Sequence, residues 1–327
     1  MKFKNLKLLA SLPGLLLIVL FSNAVHSALL VSDFRLGTVF NYDSNNGAFQ
    51  GIFASGGGLV GPEAIRTGPD GYLYVSDFLG DNIRRYDPVT GTDLGVFVSG
   101  SGLSGPHGFD FGSDGNLYVN NVFTNNVLRY NGATGAFMDN FISAGSGGLF
   151  QPRGITFGPD GNLYISSNGT NPDGSDRGVL RYDGTTGSFL NSFSTPYTIN
   201  KPRDLLFGPN GDLFVGSLDD NKVARYDGVT GDFLTDFILG GANVVPSGLT
   251  IGPDGNFYIG SRDTGEILRY DTNGNYIDIF ATGGGLTNPT NLYFTPDSFV
   301  VPIPGSIVLF ASGLLGLVGV GRRTNRA

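Results

Sequence analysis

Six short segments of this chain share a proline followed by two residues whose chemistry changes from copy to copy. The first residue is Glu63, His107, Arg153, Arg203, Ser247 or Thr290, and the second is Ala64, Gly108, Gly154, Asp204, Gly248 or Asn291. Arg153 and Arg203, in successive copies, suit a carboxylate or sulfate, which the planar guanidinium grips with two parallel N–H donors. Glu63, Asp204 and Asn291 could offer the hard oxygen ligands that Ca2+ or another divalent cation takes. His107 is a base without an obvious partner, because the only other histidine, His26, sits in the N-terminal stretch. Cysteine is absent, so thiol nucleophiles, disulfides, lipoprotein acylation and Cys-type zinc sites are excluded. No Ser-His-Asp arrangement or phosphate loop is present. These residues therefore describe a binding site with no catalytic group assigned: Glu63, His107, Arg153, Arg203, Asp204, Ser247, Thr290 and Asn291.

The elements that must position them are repeats. A phrase close to Gly-Pro-Asp-Gly-x-Leu-Tyr-Val opens at Gly68, Gly112, Gly158, Gly208 and Gly252, with a degenerate copy at Thr295, in steps of 44, 46, 50, 44 and 43 residues. That period marks a fold whose units cannot bury their apolar faces alone. Each copy reads as four short strands. An alternating strand such as Pro152 to Phe157 turns through Gly158-Pro159-Asp160-Gly161 into Asn162 to Ser167, with proline and glycine supplying the turn geometry. A third strand carries Arg181-Tyr182-Asp183, repeated around Tyr86, Tyr130, Tyr226 and Tyr270, and a fourth carries paired aromatics such as Phe189 and Phe193. The second repeat departs from this, keeping Phe97 but placing Asp93 at the other aromatic site.

The ends of the array set the number of units. Leu30 to Asp33 matches Tyr74 to Asp77, so the first repeat lacks an inner strand, whereas Leu286 to Phe294 matches an inner strand with nothing after it. Together the fragments complete one blade beside five whole ones. The expectation is an all-β, six-bladed β-propeller of four-stranded blades over residues 29 to 297, closed by a C-terminal inner strand that completes the first blade.

The run Leu-Tyr-Val-Ser-Asp-Phe-Leu-Gly-Asp-Asn-Ile-Arg-Arg-Tyr-Asp at Leu73 to Asp87 resembles the repeat of NHL-type propellers, which are similar to virginiamycin B lyases and gluconolactonase-like propellers. The resemblance implies the six-bladed fold. For activity it implies either a binding module or a metal-dependent lactonase, hydrolase or lyase acting at the channel mouth, and function must be argued from the site.

Charge excludes one partner class. Three of the 20 lysines and arginines lie in the first 28 residues and three in the last 30, with no acid in either stretch, leaving 14 basic against 28 acidic residues between them. Such a body repels phosphate backbones, so no nucleic-acid partner is expected. A monomer is expected, stabilised by its core and by ring closure.

Both termini read as addresses. Lys2, Lys4 and Lys7, an apolar core from Leu8 to Phe21 and small residues to Ala28 make a signal peptide over residues 1–28, a signal helix outside the fold, with cleavage after Ala24, Ser27 or Ala28. Residues 298–327 hold Val301-Pro302-Ile303-Pro304, an uncharged helix-length stretch from Gly305 to Gly321, and the stop-transfer arginines Arg322, Arg323 and Arg326. This tripartite tail resembles the PEP-CTERM class of exosortase substrates in its Val-Pro-Leu-Pro-Ala form, with Ile303 and Gly305 as departures. The resemblance implies a membrane-held precursor, an exosortase-like processing partner, an accompanying exopolysaccharide, and the surface or exterior of a Gram-negative-type bacterium. A plain tail anchor is the alternative. Because Asp297 falls at a first-to-second strand turn, the tail is expected to leave from that face, with the longer loops on the other.

Asn168 to Asp176 and Asp271 to Asn275 offer oxygen atoms at alternate positions without the full calcium-loop spacing, so solvated turns are expected there.

Overall fold

A computed structural model describes residues 27–169, 177–194, 199–239 and 244–296. The expected signal segment before Ser27, the motif Val301 to Pro304, the arginines Arg322, Arg323 and Arg326, and Thr170 to Asp176 of the blade-4 insertion lie outside them.

Blade 1 begins with β1 (Ala28–Asp33), β2 (Thr38–Asp43) and β3 (Phe49–Ser55). Blade 2 follows as β4 (Pro62–Thr67), β5 (Leu73–Asp77), β6 (Asn82–Tyr86) and β7 (Asp93–Ser99). Blade 3 is β8 (Pro106–Phe111), β9 (Leu117–Asn121), β10 (Asn126–Tyr130) and β11 (Phe137–Ile142). Blade 4 is β12 (Ile155–Phe157), β13 (Leu163–Ser167), β14 (Gly178–Tyr182) and β15 (Phe189–Ser192). Blade 5 is β16 (Pro202–Phe207), β17 (Leu213–Ser217), β18 (Lys222–Tyr226) and β19 (Phe233–Leu239). Blade 6 is β20 (Pro246–Ile251), β21 (Phe257–Ser261), β22 (Glu266–Tyr270) and β23 (Tyr276–Ala281), and β24 (Pro289–Phe294) returns to blade 1. The six sheets are four-stranded and antiparallel, and the closing sheet runs β24-β1-β2-β3. The chain is a six-bladed β-propeller.

The repeated phrase works as a hairpin lock. In blade 4, Asp160 Oδ1 accepts from the Asn162 amide and its Oδ2 from the Tyr164 hydroxyl at 2.9 Å, while Gly161 takes φ +77°. The same Tyr–Asp bond recurs as Tyr74–Asp70, Tyr118–Asp114 and Tyr258–Asp254. The repeated Asp is therefore a turn former, and the repeated Arg is also framework. Arg129, Arg181 and Arg269 lie over Phe141, Phe193 and Phe280 of the neighbouring strand at 5.0, 5.5 and 5.2 Å, a cation–π contact.

The core lies between blades. Tyr118, Phe141 and Ile142 of blade 3 pack with Ile155, Leu163, Leu180 and Tyr182 of blade 4, and Tyr258 and Phe280 of blade 6 pack with Leu29, Phe40 and Leu292 of blade 1. Each such side chain contributes about 1.5–3 kcal/mol by leaving water, so neighbouring blades hold one another.

Closure uses Asp33. Its Oδ2 accepts from the Thr287 amide at 2.7 Å and the Asn288 amide at 2.9 Å, fixing the approach to β24, while Oδ1 accepts from Arg35 and Leu36. At the far end the Thr295 amide donates to Ala28 and the Ala28 amide donates to Thr295 Oγ1. The first strand thus begins at Ala28, one residue before the expected boundary. Thr295 occupies the register of Gly68, so both described chain ends lie on the face of the first-to-second strand turns.

Two local expectations are refined. Regular pairing of the blade-4 inner strand starts at Ile155 rather than Pro152, and the Gly154 amide turns to the Arg203 carbonyl of blade 5. Asp93 is explained by a partner: Arg84, buried where blades 3 and 6 carry Leu128 and Leu268, pairs with it at 2.5 Å. A buried cation and the missing aromatic compensate each other within one blade.

Candidate functional site

Both variable positions reach the channel because the inner strands bulge just after the repeat proline. Register shifts lie between Pro62 and Ile65, Pro202 and Leu205, and Pro246 and Gly248. Such a bulge re-aims side chains that a regular strand would send to opposite faces. The structure brings the eight candidate residues together around two adjoining tiers, with Glu63 and Arg153 lining both.

The lower tier closes the shaft. Ser247 Oγ donates to the Pro289 carbonyl and Thr290 Oγ1 to the Pro62 carbonyl at 3.0 Å, so both hydroxyls tie neighbouring blades. Asn291 Oδ1 accepts from the Ile65 amide at 3.0 Å and its Nδ2 donates to Asp204 Oδ2 at 3.1 Å, which also accepts from Leu249. The remaining space here is about 10 Å3, room for about one water molecule. Arg66 and Asp110 were not foreseen in this tier; burial pushes the Asp110 and Asp204 carboxyls up, and the nearby Arg66 partly opposes this.

The upper tier is an open well of about 320 Å3 lined by Glu63, Arg153, Arg203, Arg262, Lys201, Phe34, Phe78, Asn168 and Leu218. Arg203, which can only donate, gives Nη1–H to His107 Nε2 at 2.8 Å. This hydrogen-bond pattern assigns the single imidazole proton to Nδ1. Burial first, then the arginines 153 and 203, hold the His107 pKa well below its ordinary value, so its 3.4 Å approach to Glu63 Oε2 is not an ion pair. Burial raises the Glu63 pKa against the pull of Arg203, Arg153 and Arg262. Burial and the Arg203 charge bring Arg153 down to about 10, still protonated at neutral pH, and its guanidinium lies 5.8 Å from the Phe78 ring centre. Three guanidiniums therefore face one well, with Glu63 as the buried countercharge.

The residues offered for a divalent ion are already engaged with protein groups. Glu63, Asp204 and Asn291 line the same small space, but Asp204 Oδ2 accepts from Asn291 Nδ2 and the Leu249 amide, Asn291 Oδ1 accepts from the Ile65 amide, and Glu63 lies among arginines. Among the described residues no cluster of three or more His, Cys, Asp or Glu side chains could hold a metal. At the second suggested loop, Asp271 Oδ1 accepts from the amides of Asn273 and Asn275 at 2.8 Å, an ordinary turn.

Arg262, Lys201, Phe34, Phe78 and Asn168 lie outside the positions that follow the repeat proline, and the sequence reading did not include them. A register signal was available: Phe34, Phe78, Val122, Asn168, Leu218 and Arg262 each follow a second strand by one residue, and Lys201 precedes the repeat proline.

No family model matches the chain, and no curated protein matches it. Solved structures do. A streptogramin B lyase aligns with TM-score 0.56 at 17% identity, covering 82% of this chain and 80% of that one. A chain of the nidogen/laminin complex aligns with TM-score 0.67 at 16% identity over 83% and 99%. A protein assigned as a gluconolactonase aligns with TM-score 0.57 at 18% identity over 72% and 85%. At such identities the likeness is one of fold, shared by lyases, lactonase-like proteins and binding modules alike.

Proposed function

We propose that the protein is an exported binding module whose well captures a carboxylate or sulfate group, as carried by an acidic exopolysaccharide. The observation that carries this reading is the convergence of Arg153, Arg203 and Arg262 on one well against the single carboxylate of Glu63. An anion entering there gains charge-assisted hydrogen bonds in a partly desolvated site, the setting in which they are strongest. Binding is favoured over the lactonase or lyase alternative because Arg203 occupies His107 Nε2 and the oxygens of Asp204 and Asn291 already accept hydrogen bonds from the protein. Calorimetry with glucuronate and sulfate tests this. Arg153→Ala should weaken binding about 10- to 100-fold, the loss of one charged hydrogen-bonding group. Unchanged affinity in that variant, or no heat with either anion, would overturn the reading.

Export and surface attachment rest on the basic-apolar start and on the Val301 to Pro304 tail. The geometry supports an outward-facing well, since Thr295 leaves β24 on the face of the first-to-second strand turns and Arg262 and Lys201 lie on the other. Mass spectrometry of the surface-fraction protein should find a C-terminus near Val301 to Gly305. An intact Ala327 there would count against processing.

A further inference from the structure

The well is not the whole site. Its residues Leu218 and Arg262 also line a second depression of about 440 Å3, bounded by Arg35, Asp219, Asn221, Val245 and Asp263. Lys201 on the well and Asp219 on the depression form an ion pair at 2.7 Å across the boundary. The two spaces are compartments of one groove, each within the roughly 300–1,000 Å3 range of small-molecule sites.

Their charges differ. The well sets three arginines and Lys201 against Glu63, whereas the depression sets Arg35 and the shared Arg262 against Asp219 and Asp263. A second anionic unit would meet as much repulsion as attraction in the depression. A neutral polyhydroxylated unit would find donors in the arginines and acceptors in the carboxylates, with Leu218 and Val245 as apolar surface for ring C–H groups.

We propose that the groove binds an acidic disaccharide unit, with a uronate in the well and a neutral hexose in the depression. This rests on the anion-binding reading of the well. Calorimetry at low salt on the full-length chain should compare glucuronate, a glucuronate–glucose disaccharide, a glucuronate–glucuronate disaccharide and glutamyl-alanine. The mixed disaccharide should bind at least about tenfold more tightly than glucuronate, equivalent to about 1.4 kcal/mol. The double variant Arg35→Ala, Asp263→Ala should erase that advantage without moving the melting temperature, since both side chains are exposed.

A mixed disaccharide no tighter than glucuronate would overturn the second compartment while leaving the anion site standing. Tighter binding of the diuronate would overturn the neutral-unit assignment, and equal binding of glutamyl-alanine would overturn the sugar assignment. Failure of every probe to bind would instead remove the anion site itself.

Discussion

His107 shows how far a residue's role depends on what surrounds it. In sequence it is a lone base, whereas in the propeller it is a neutral acceptor that orients Arg203. Its folded pKa lies below the ordinary 6.5, so as pH falls through that value the unfolded chain takes up a proton that the native site refuses. Stability is then lost on acidification. Glu63, Asp110 and Asp204, whose folded pKa values are raised, act with the opposite sign and favour the native state as the medium turns acid. Isolating the histidine therefore needs a variant. His107→Gln keeps an acceptor for Arg203 and does not titrate, so its loss of stability between about pH 7 and about pH 5.5 should be smaller than that of the parent by about 1 kcal/mol. Urea denaturation at the two pH values measures it, and equal losses would mean that His107 is not held neutral.

Blades are similar enough that a departure in one can be read against the others. Arg84 and Asp93 replace an apolar residue of the third strand and an aromatic of the fourth, and the pair is internally matched. Asp93→Ala should cost about 2 kcal/mol, less than a fully buried pair because the Asp93 side chain is 29% exposed. The double change Arg84→Leu, Asp93→Phe should recover that loss or exceed it by restoring the packing of the other blades. Thermal melting of the single and double variants checks this, and additive losses would contradict the compensation. The lesson for legibility lies in the same residues: Asp93 was visible as an exception in the repeat, but its partner was not, because pairing between neighbouring strands was needed to find Arg84.

The whole molecule is a ring, and its stability is shared around it. Gly47, at φ +71°, sits so close to Phe280 that a Cβ there would strike the Phe280 carbonyl oxygen, and equivalent turn glycines meet the preceding blade at Phe53, Phe97, Phe141, Phe193 and Phe237. The contact between blades 6 and 1 is thus made in the same way as the other five, with β24 as the added clasp. Ending the chain after Leu286 should remove Asp33's partners and expose the edge of β1, giving loss of cooperative unfolding and association through that edge. Sedimentation and thermal unfolding would show it, and a monomer melting like the parent would argue that β24 is dispensable.

Sequence alone determined the number of blades, the four-strand pattern, the closing strand and the ring of variable residues, because each follows from local turns, alternation and period. It also offered Arg153 and Arg203 as candidate anion contacts. Tertiary structure decided the rest. Asp204 and Asn291 became blade-to-blade ties, His107 became a neutral orienting group, and Arg262, Lys201 and Asn168 joined the well from loops distant in the chain. The physical reason is that hydrogen-bond competition and burial, which set what a polar side chain can do, depend on neighbours that only ring closure brings within a few ångströms.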